Sequence, residues 1–149
     1  MPPRSIDAID RGYFEDVVAP LLKDPHVEYR GEIGDGEKDA FLGNAYALLF
    51  PIDWPEPFGL VMIEAMACGT PVIAYRRGSV PEVIEEGVTG FIVQDLEDAV
   101  RAAERISTLS RWRCRQLFEE RFSAARMARD YLAIYQKLSE GPVVLAPAV

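Results

Sequence analysis

Two kinds of apolar run alternate along the chain. Over residues 10–22, Phe14, Val17, Val18, Leu21 and Leu22 share one side of a helical wheel, with Asp10 placed to cap its start and Asp24 and Pro25 to end it. Residues 27–33 read as a strand, and Gly34, Asp35 and Gly36 turn the chain into a helix that starts at Asp35 or Gly36 and reaches about Asn44. Residues 47–50 and 71–75 are short and fully apolar, as strands buried on both faces are. Between them lie a loop with three prolines over 51–57 and a helix over 58–68, stopped by Gly69, Thr70 and Pro71. A short helix over 81–86 precedes a last strand over 90–93. Asp95 caps a helix to about Thr108, and two more helices span 110–121 and 123–138. The uncharged tail, 141–149, is expected to be disordered.

Apolar strands alternating with helices predict an α/β fold: a parallel sheet flanked by helices, with residues 1–140 as one domain. Ligands of such sheets bind at the carboxyl ends of the strands. The loops after Phe50, after Tyr75 and around 33–35 leave from that edge, so chemistry is sought there.

Composition narrows the class of partner. The chain has 149 residues, Lys+Arg 16 against Asp+Glu 24, and a net charge of −8, which disfavours nucleic acid or an anionic membrane surface. Two cysteines, Cys68 and Cys114, cannot make a disulfide framework or a four-ligand metal site. No apolar run reaches about 18 residues, so no membrane span is expected. The opening residues have no apolar core like a secretory signal, which leaves a cytoplasmic protein as the expectation.

One segment carries chemical information. Residues 57–75 read PFGLVMIEAMACGTPVIAY and hold a single charge, Glu64. Leu60, Ile63 and Ala67 share one side of the helix and Val61, Ala65 and Cys68 another, so it reads as buried nearly all round. A carboxylate there needs partners: a cation, backbone donors or ligand hydroxyls. The helix start adds free N–H groups and a positive dipole end, suited to phosphate or sugar oxygens. Gly59 lets a ligand approach the backbone, and Glu56, just before the opening, can accept hydrogen bonds from hydroxyls. A ligand with a polyol at one end and a diphosphate in the middle suits this arrangement.

Other groups have plainer readings. Cys68 packs as a small hydrophobe with no histidine placed to activate it. His26 stands alone and reads as surface. Asp35, Glu37 and Asp39 fail the calcium-loop spacing and read as a solvated helix start. Arg76 and Arg77 lie at the ligand edge, where they could meet phosphate or simply be solvated. Arg111 to Arg121 is mixed in sign and reads as an exposed helix face.

Glu56 and Glu64, with seven residues between them inside EPFGLVMIEAMACGTPVIA and followed by GSVPEVIEEGVTGFIV, resemble the carboxy-terminal, donor-binding half of a retaining GT-B glycosyltransferase. The similarity is to the large family 4, with sucrose synthase, glycogen synthase and mannosyltransferase relatives, and covers about residues 27–135. It implies a Rossmann-like half of a GT-B fold that binds a nucleoside-diphosphate sugar, with no metal or other cofactor. Glu56 matches the acid beside the donor sugar and is the only catalytic candidate. The backbone of Phe58, Gly59 and Leu60 matches the segment reaching sugar hydroxyls and diphosphate, and Glu64 matches the acid that holds the ribose. Glu82 matches an acid with a structural task in the loop after 71–75. At Gly78 and Ser79 many relatives have two glycines.

Two departures bear on activity. Nothing over 1–27 matches the family's first strand and Gly-Lys-Gly segment, whose basic residues neutralise the diphosphate, and Arg4 and Arg11 lack that context. The amino-terminal acceptor domain has no counterpart here either. The resemblance therefore implies a partial domain that binds donor and does not turn over by itself. The alternatives are a non-catalytic nucleotide-sugar binding module and another GT-B enzyme, such as a nucleotide-sugar epimerase. A phosphorylase would need a pyridoxal lysine, and Lys23, Lys38 and Lys137 lie in no recognisable site. No G-x-G-x-x-G follows a strand, which argues against a dehydrogenase. In the family, two strands lie between those matching 27–33 and 47–50. A four-stranded parallel sheet is expected, with the 27–33 strand moved beside the 47–50 strand or left at a loose edge, together with self-association and a displaced last helix.

Overall fold

The structure is a computed structural model that describes residues 8–140. The expected tail, 141–149, lies outside the described residues. The chain divides into two units, residues 1–38 and 39–149.

In the first unit, helix α1 (Ala8–Tyr13) runs into a π-helical turn (Phe14–Val18) and a short α2 (Ala19–Leu21). The Ala19 N–H donates to Phe14 O, five residues back, directly before Pro20, which has no N–H to continue an ordinary ladder. Asp10 stands inside the first turn of α1 rather than capping it. Residues 27–33 form no strand, which corrects the expectation from their sequence. A strand is held by bonds to a neighbouring strand, and among the described residues none pairs with this segment. Val27 and Tyr29 are exposed, and Arg30 pairs instead with Glu28 at 2.7 Å.

The second unit holds the sheet. Its strands β1 (Leu48–Phe50), β2 (Val72–Tyr75) and β3 (Gly90–Val93) are parallel, with β2 in the middle. Among the described residues the sheet therefore has three strands, not four. Helix α3 (Asp35–Asn44) has the expected bounds and leads into β1. Between the strands run α4 (Leu60–Ala67) and α5 (Val80–Val83), and after β3 come α6 (Leu96–Arg105), a 3-10 turn (Ile106–Thr108), α7 (Arg111–Phe122) and α8 (Ala124–Glu140). Asp95 caps α6 by accepting the Asp98 N–H at 2.8 Å, and Ser110 caps α7. No helix among the described residues is long and apolar enough to cross a membrane.

Alternation along β2 sends its side chains into two cores. Val72 and Ala74 join Phe50, Met62, Met66 and Cys114 on one face, while Ile73 joins Phe91, Ala102 and Ile106 on the other. β2 is thus buried on both faces as expected. β1 is not, because Leu49 is exposed.

Arginines of α7 tie the helix ends together. Arg111 donates to Ala45 O and Gly43 O, both at 2.7 Å, and to Thr70 Oγ1 at 2.8 Å, joining the end of α3 to the turn before β2. Arg115 donates to Ala67 O at the end of α4, and Arg121 to Glu82 O and Val83 O at the end of α5. These cations sit where helix carbonyls lack internal partners. The outer edge of β3 is closed as well: the Ile92 N–H donates to the Glu86 carboxylate at 2.7 Å.

Candidate functional site

The loops that follow β1 and β2 meet at the start of α4. In the first, Pro55 sits at the centre of a tight turn in which the Glu56 N–H donates to Trp54 O at 2.9 Å. In the second, Ser79 binds the first loop twice: its N–H donates to Glu56 O at 2.9 Å and its hydroxyl donates to Phe58 O at 2.8 Å. Arg77 Nε donates to Asp53 Oδ1 at 2.9 Å across the two loops. Arg77 is thus exposed and ion-paired with Asp53.

Gly59, with φ at +71°, occupies the cap position of α4, so the helix starts two residues later than its sequence pattern suggested. The Glu56 carboxylate lies at this opening. One oxygen accepts the Gly59 N–H at 3.1 Å and the other accepts the Trp54 indole N–H at 2.9 Å. Glu56 is half-buried and Phe58 and Leu60 are exposed, while Gly59 is buried beneath them. The structure thus brings Glu56, Phe58, Gly59 and Leu60 together at one helix start.

Glu64 lies one turn further along α4, four residues from Leu60 and on the same face. It is half-buried, not largely buried. Met62, Ala65 and Met66 take the face of α4 that packs into the core, so the Leu60–Glu64 side stays partly open. A groove continues from this side, lined by Phe58, Leu60, Ile63, Phe122, Arg126 and Tyr131.

The two thiols lie away from this helix start, Cys68 at the far end of α4 and Cys114 against Thr70 O and Thr89 O before β2 and β3. Burial pushes the Cys68 thiol up, with Asp39 adding to the effect, and pushes Cys114 up to about 11. Glu82 stands in the first turn of α5, and its backbone carbonyl receives Arg121.

The sequence did not point to Trp54, Asp53 or Ser79. Ser79 and Gly78 act on backbone atoms of the other loop, which leave no side-chain pattern. Trp54 had one legible signal, its place two residues before Glu56 in WPEPFG.

Comparison with known proteins agrees with this architecture. The chain is 36% identical over 128 residues, 81% of its length, to the "Uncharacterized 41.2 kDa protein in cps region" of Klebsiella pneumoniae. It superposes on sucrose-phosphate synthase from Thermosynechococcus elongatus with TM-score 0.75 and 28% identity, covering 93% of this chain and 37% of that one. It also superposes on Anabaena Alr3699/HepE in complex with UDP-glucose, with TM-score 0.69 and 22% identity over 89% of this chain and 38% of that one, a likeness of fold. The chain spans 25% to 35% of the length of the first curated relatives it matches. The family profile described as "Glycosyl transferases group 1" matches residues 11–124, and the chain belongs to that family.

Proposed function

We propose that this chain is the donor-binding half of a retaining GT-B glycosyltransferase of family 4 and binds a nucleoside-diphosphate sugar at the start of α4. The observation that carries the reading is the geometry at that start. A carboxylate held on the Gly59 amide borders a helix N-terminus whose preceding loop is pinned at both Glu56 O and Phe58 O. In this reading Glu56 accepts hydrogen bonds from the sugar hydroxyls, and the backbone of Phe58, Gly59 and Leu60 faces sugar and diphosphate. Glu64, four residues beyond Leu60 on the same face, holds the ribose hydroxyls. The helix dipole offsets diphosphate charge, so neither a metal nor another cofactor is called for. Hexosyl transfer to an acceptor belongs to a cytoplasmic enzyme whose acceptor-binding domain is not among the residues described here.

Calorimetry with UDP and UDP-glucose as probes tests the assignment. Glu64→Ala is expected to weaken both probes by ~1.5–3 kcal/mol, the worth of a hydrogen bond to a charged acceptor. Glu56→Ala is expected to leave UDP unchanged and to remove the preference for UDP-glucose. Equal affinities in the wild type and both variants would sink the reading.

The second proposal concerns partners. Leu49 on β1 and Met127, Tyr131, Leu132, Ile134, Tyr135 and Leu138 on α8 are all exposed, more apolar surface than a lone domain ordinarily leaves in water. Self-association is the expected result. Light scattering across a dilution series should show mass rising with concentration, and a monodisperse monomer at high concentration refutes it.

A further inference from the structure

We infer that Trp54 is a positioning residue for Glu56, fixing its carboxylate in the orientation that distinguishes a sugar nucleotide from the bare diphosphate. The inference rests on Glu56 being the acceptor for sugar hydroxyls, and adds a residue that the motif shared with the family does not contain.

The two N–H donors reach Glu56 from both sides in sequence. Trp54 Nε1, two residues before, donates to Oε2 at 2.9 Å, and Gly59 N, three residues after, donates to Oε1 at 3.1 Å. A carboxylate with one donor swings about its last torsion, which is a soft one. With a different donor on each oxygen its plane is set. Each oxygen keeps a lone pair for a ligand hydroxyl. The Trp54 end of this clamp is itself held, because the Glu56 N–H to Trp54 O turn is closed at Pro55, whose ring restricts the backbone. The Gly59 end is held because Ser79 fixes the neighbouring Phe58 carbonyl.

Solvent contact makes the indole N–H necessary. Glu56 is only half-buried, so packing alone does not hold its side chain. Trp54 is 61% exposed, so it contributes little to the core, and its indole N–H is engaged by Glu56. An acceptor oriented before the ligand arrives spares the ligand the cost of ordering it. That gain falls on the sugar, which Glu56 meets, and not on the nucleotide.

The test uses Trp54→Phe, which keeps an aromatic ring and removes the N–H. Calorimetry with UDP and UDP-glucose is run on the wild type, Trp54→Phe, Glu56→Ala and the double variant. Trp54→Phe is expected to lower the preference for UDP-glucose about tenfold, with UDP affinity unchanged, and to add nothing in the Glu56→Ala background. A full preference in Trp54→Phe alongside a lost one in Glu56→Ala overturns the role of Trp54 and leaves the donor-site reading standing. A further loss in the double variant overturns it too, since Trp54 would then touch the ligand itself. An unchanged preference in Glu56→Ala overturns the reading and the inference together, as does a wild type that binds neither probe. A ligand-free arm checks the geometry. The Trp54 indole proton resonance, told from that of Trp112 by Trp112→Phe, should move on Glu56→Ala, because the N–H loses its carboxylate acceptor. An indole resonance that Glu56→Ala leaves in place overturns the clamp whatever the nucleotides do.

Discussion

Gly78→Ala is expected to lower stability by about 2–5 kcal/mol and to take nucleotide-sugar recognition with it. The residue has φ at +46°, where a side chain costs roughly 1–2 kcal/mol. A Cβ built there would lie 2.2 Å from Glu56 O, 2.5 Å from Glu56 N and 2.8 Å from Pro55 C. All three are backbone atoms, so no rotamer change relieves the clash, and one of the two loops must move at a further cost of about 1–3 kcal/mol. Moving either loop pulls Ser79 from Glu56 O and Phe58 O and carries the start of α4 out of shape. Urea denaturation reads the first effect as a lower midpoint, and calorimetry at a temperature where circular dichroism shows a folded protein reads the second. An alanine variant with the wild-type midpoint and affinity would mean that the two loops are not packed as described.

Thr70→Val is expected to cost about 2–3 kcal/mol although it keeps the shape of the side chain. Thr70 is fully buried, its hydroxyl donates to Leu42 O at 2.6 Å, and it accepts from Arg111 at 2.8 Å. Valine removes one of two donors from Leu42 O, which keeps the Ala45 N–H, a loss of about 0.5–1.5 kcal/mol, and takes one of the three acceptors from the guanidinium, a loss of about 1.5–3 kcal/mol. Thr70→Ser keeps both bonds and loses one methyl group, about 0.8 kcal/mol. Chemical denaturation of the pair is decisive: equal midpoints for the valine and serine variants would show that the hydroxyl does not join α3 to α7.

Elements whose form depends on their own residues were legible in the sequence. β2 and β3 show as uninterrupted apolar runs, α3 follows a glycine turn and has acids in its first turn, and Asp95 announces α6 because a cap is a local bond. Elements that depend on a neighbour were not. Residues 27–33 have the composition of a strand, yet strand structure requires a partner backbone that no local pattern reveals. Leu49 is as apolar as Ile73, but one lies on an edge strand and the other in the middle of the sheet. The site divides in the same way. Glu56 and Gly59 could be placed at a helix start from their spacing, and they are hydrogen-bonded there. The hold of Ser79 on two carbonyls of the other loop depends on how β1 and β2 lie side by side. Glu64 was expected to be more enclosed, because an all-apolar helix suggests cover on every side and α4 buries only one.

The bond from Ile92 to Glu86 has a consequence for assembly. A sheet with two free margins can add copies head to tail without limit, which is how open ribbons and fibres grow. Here the β3 margin already has its outward N–H engaged by a carboxylate, and an incoming strand would have to displace it and face its charge. Among the described residues, that leaves the β1 margin without such a bond. Two copies pairing there would each use up that margin, so pairing through the described sheet would end as a closed twofold dimer and would not propagate.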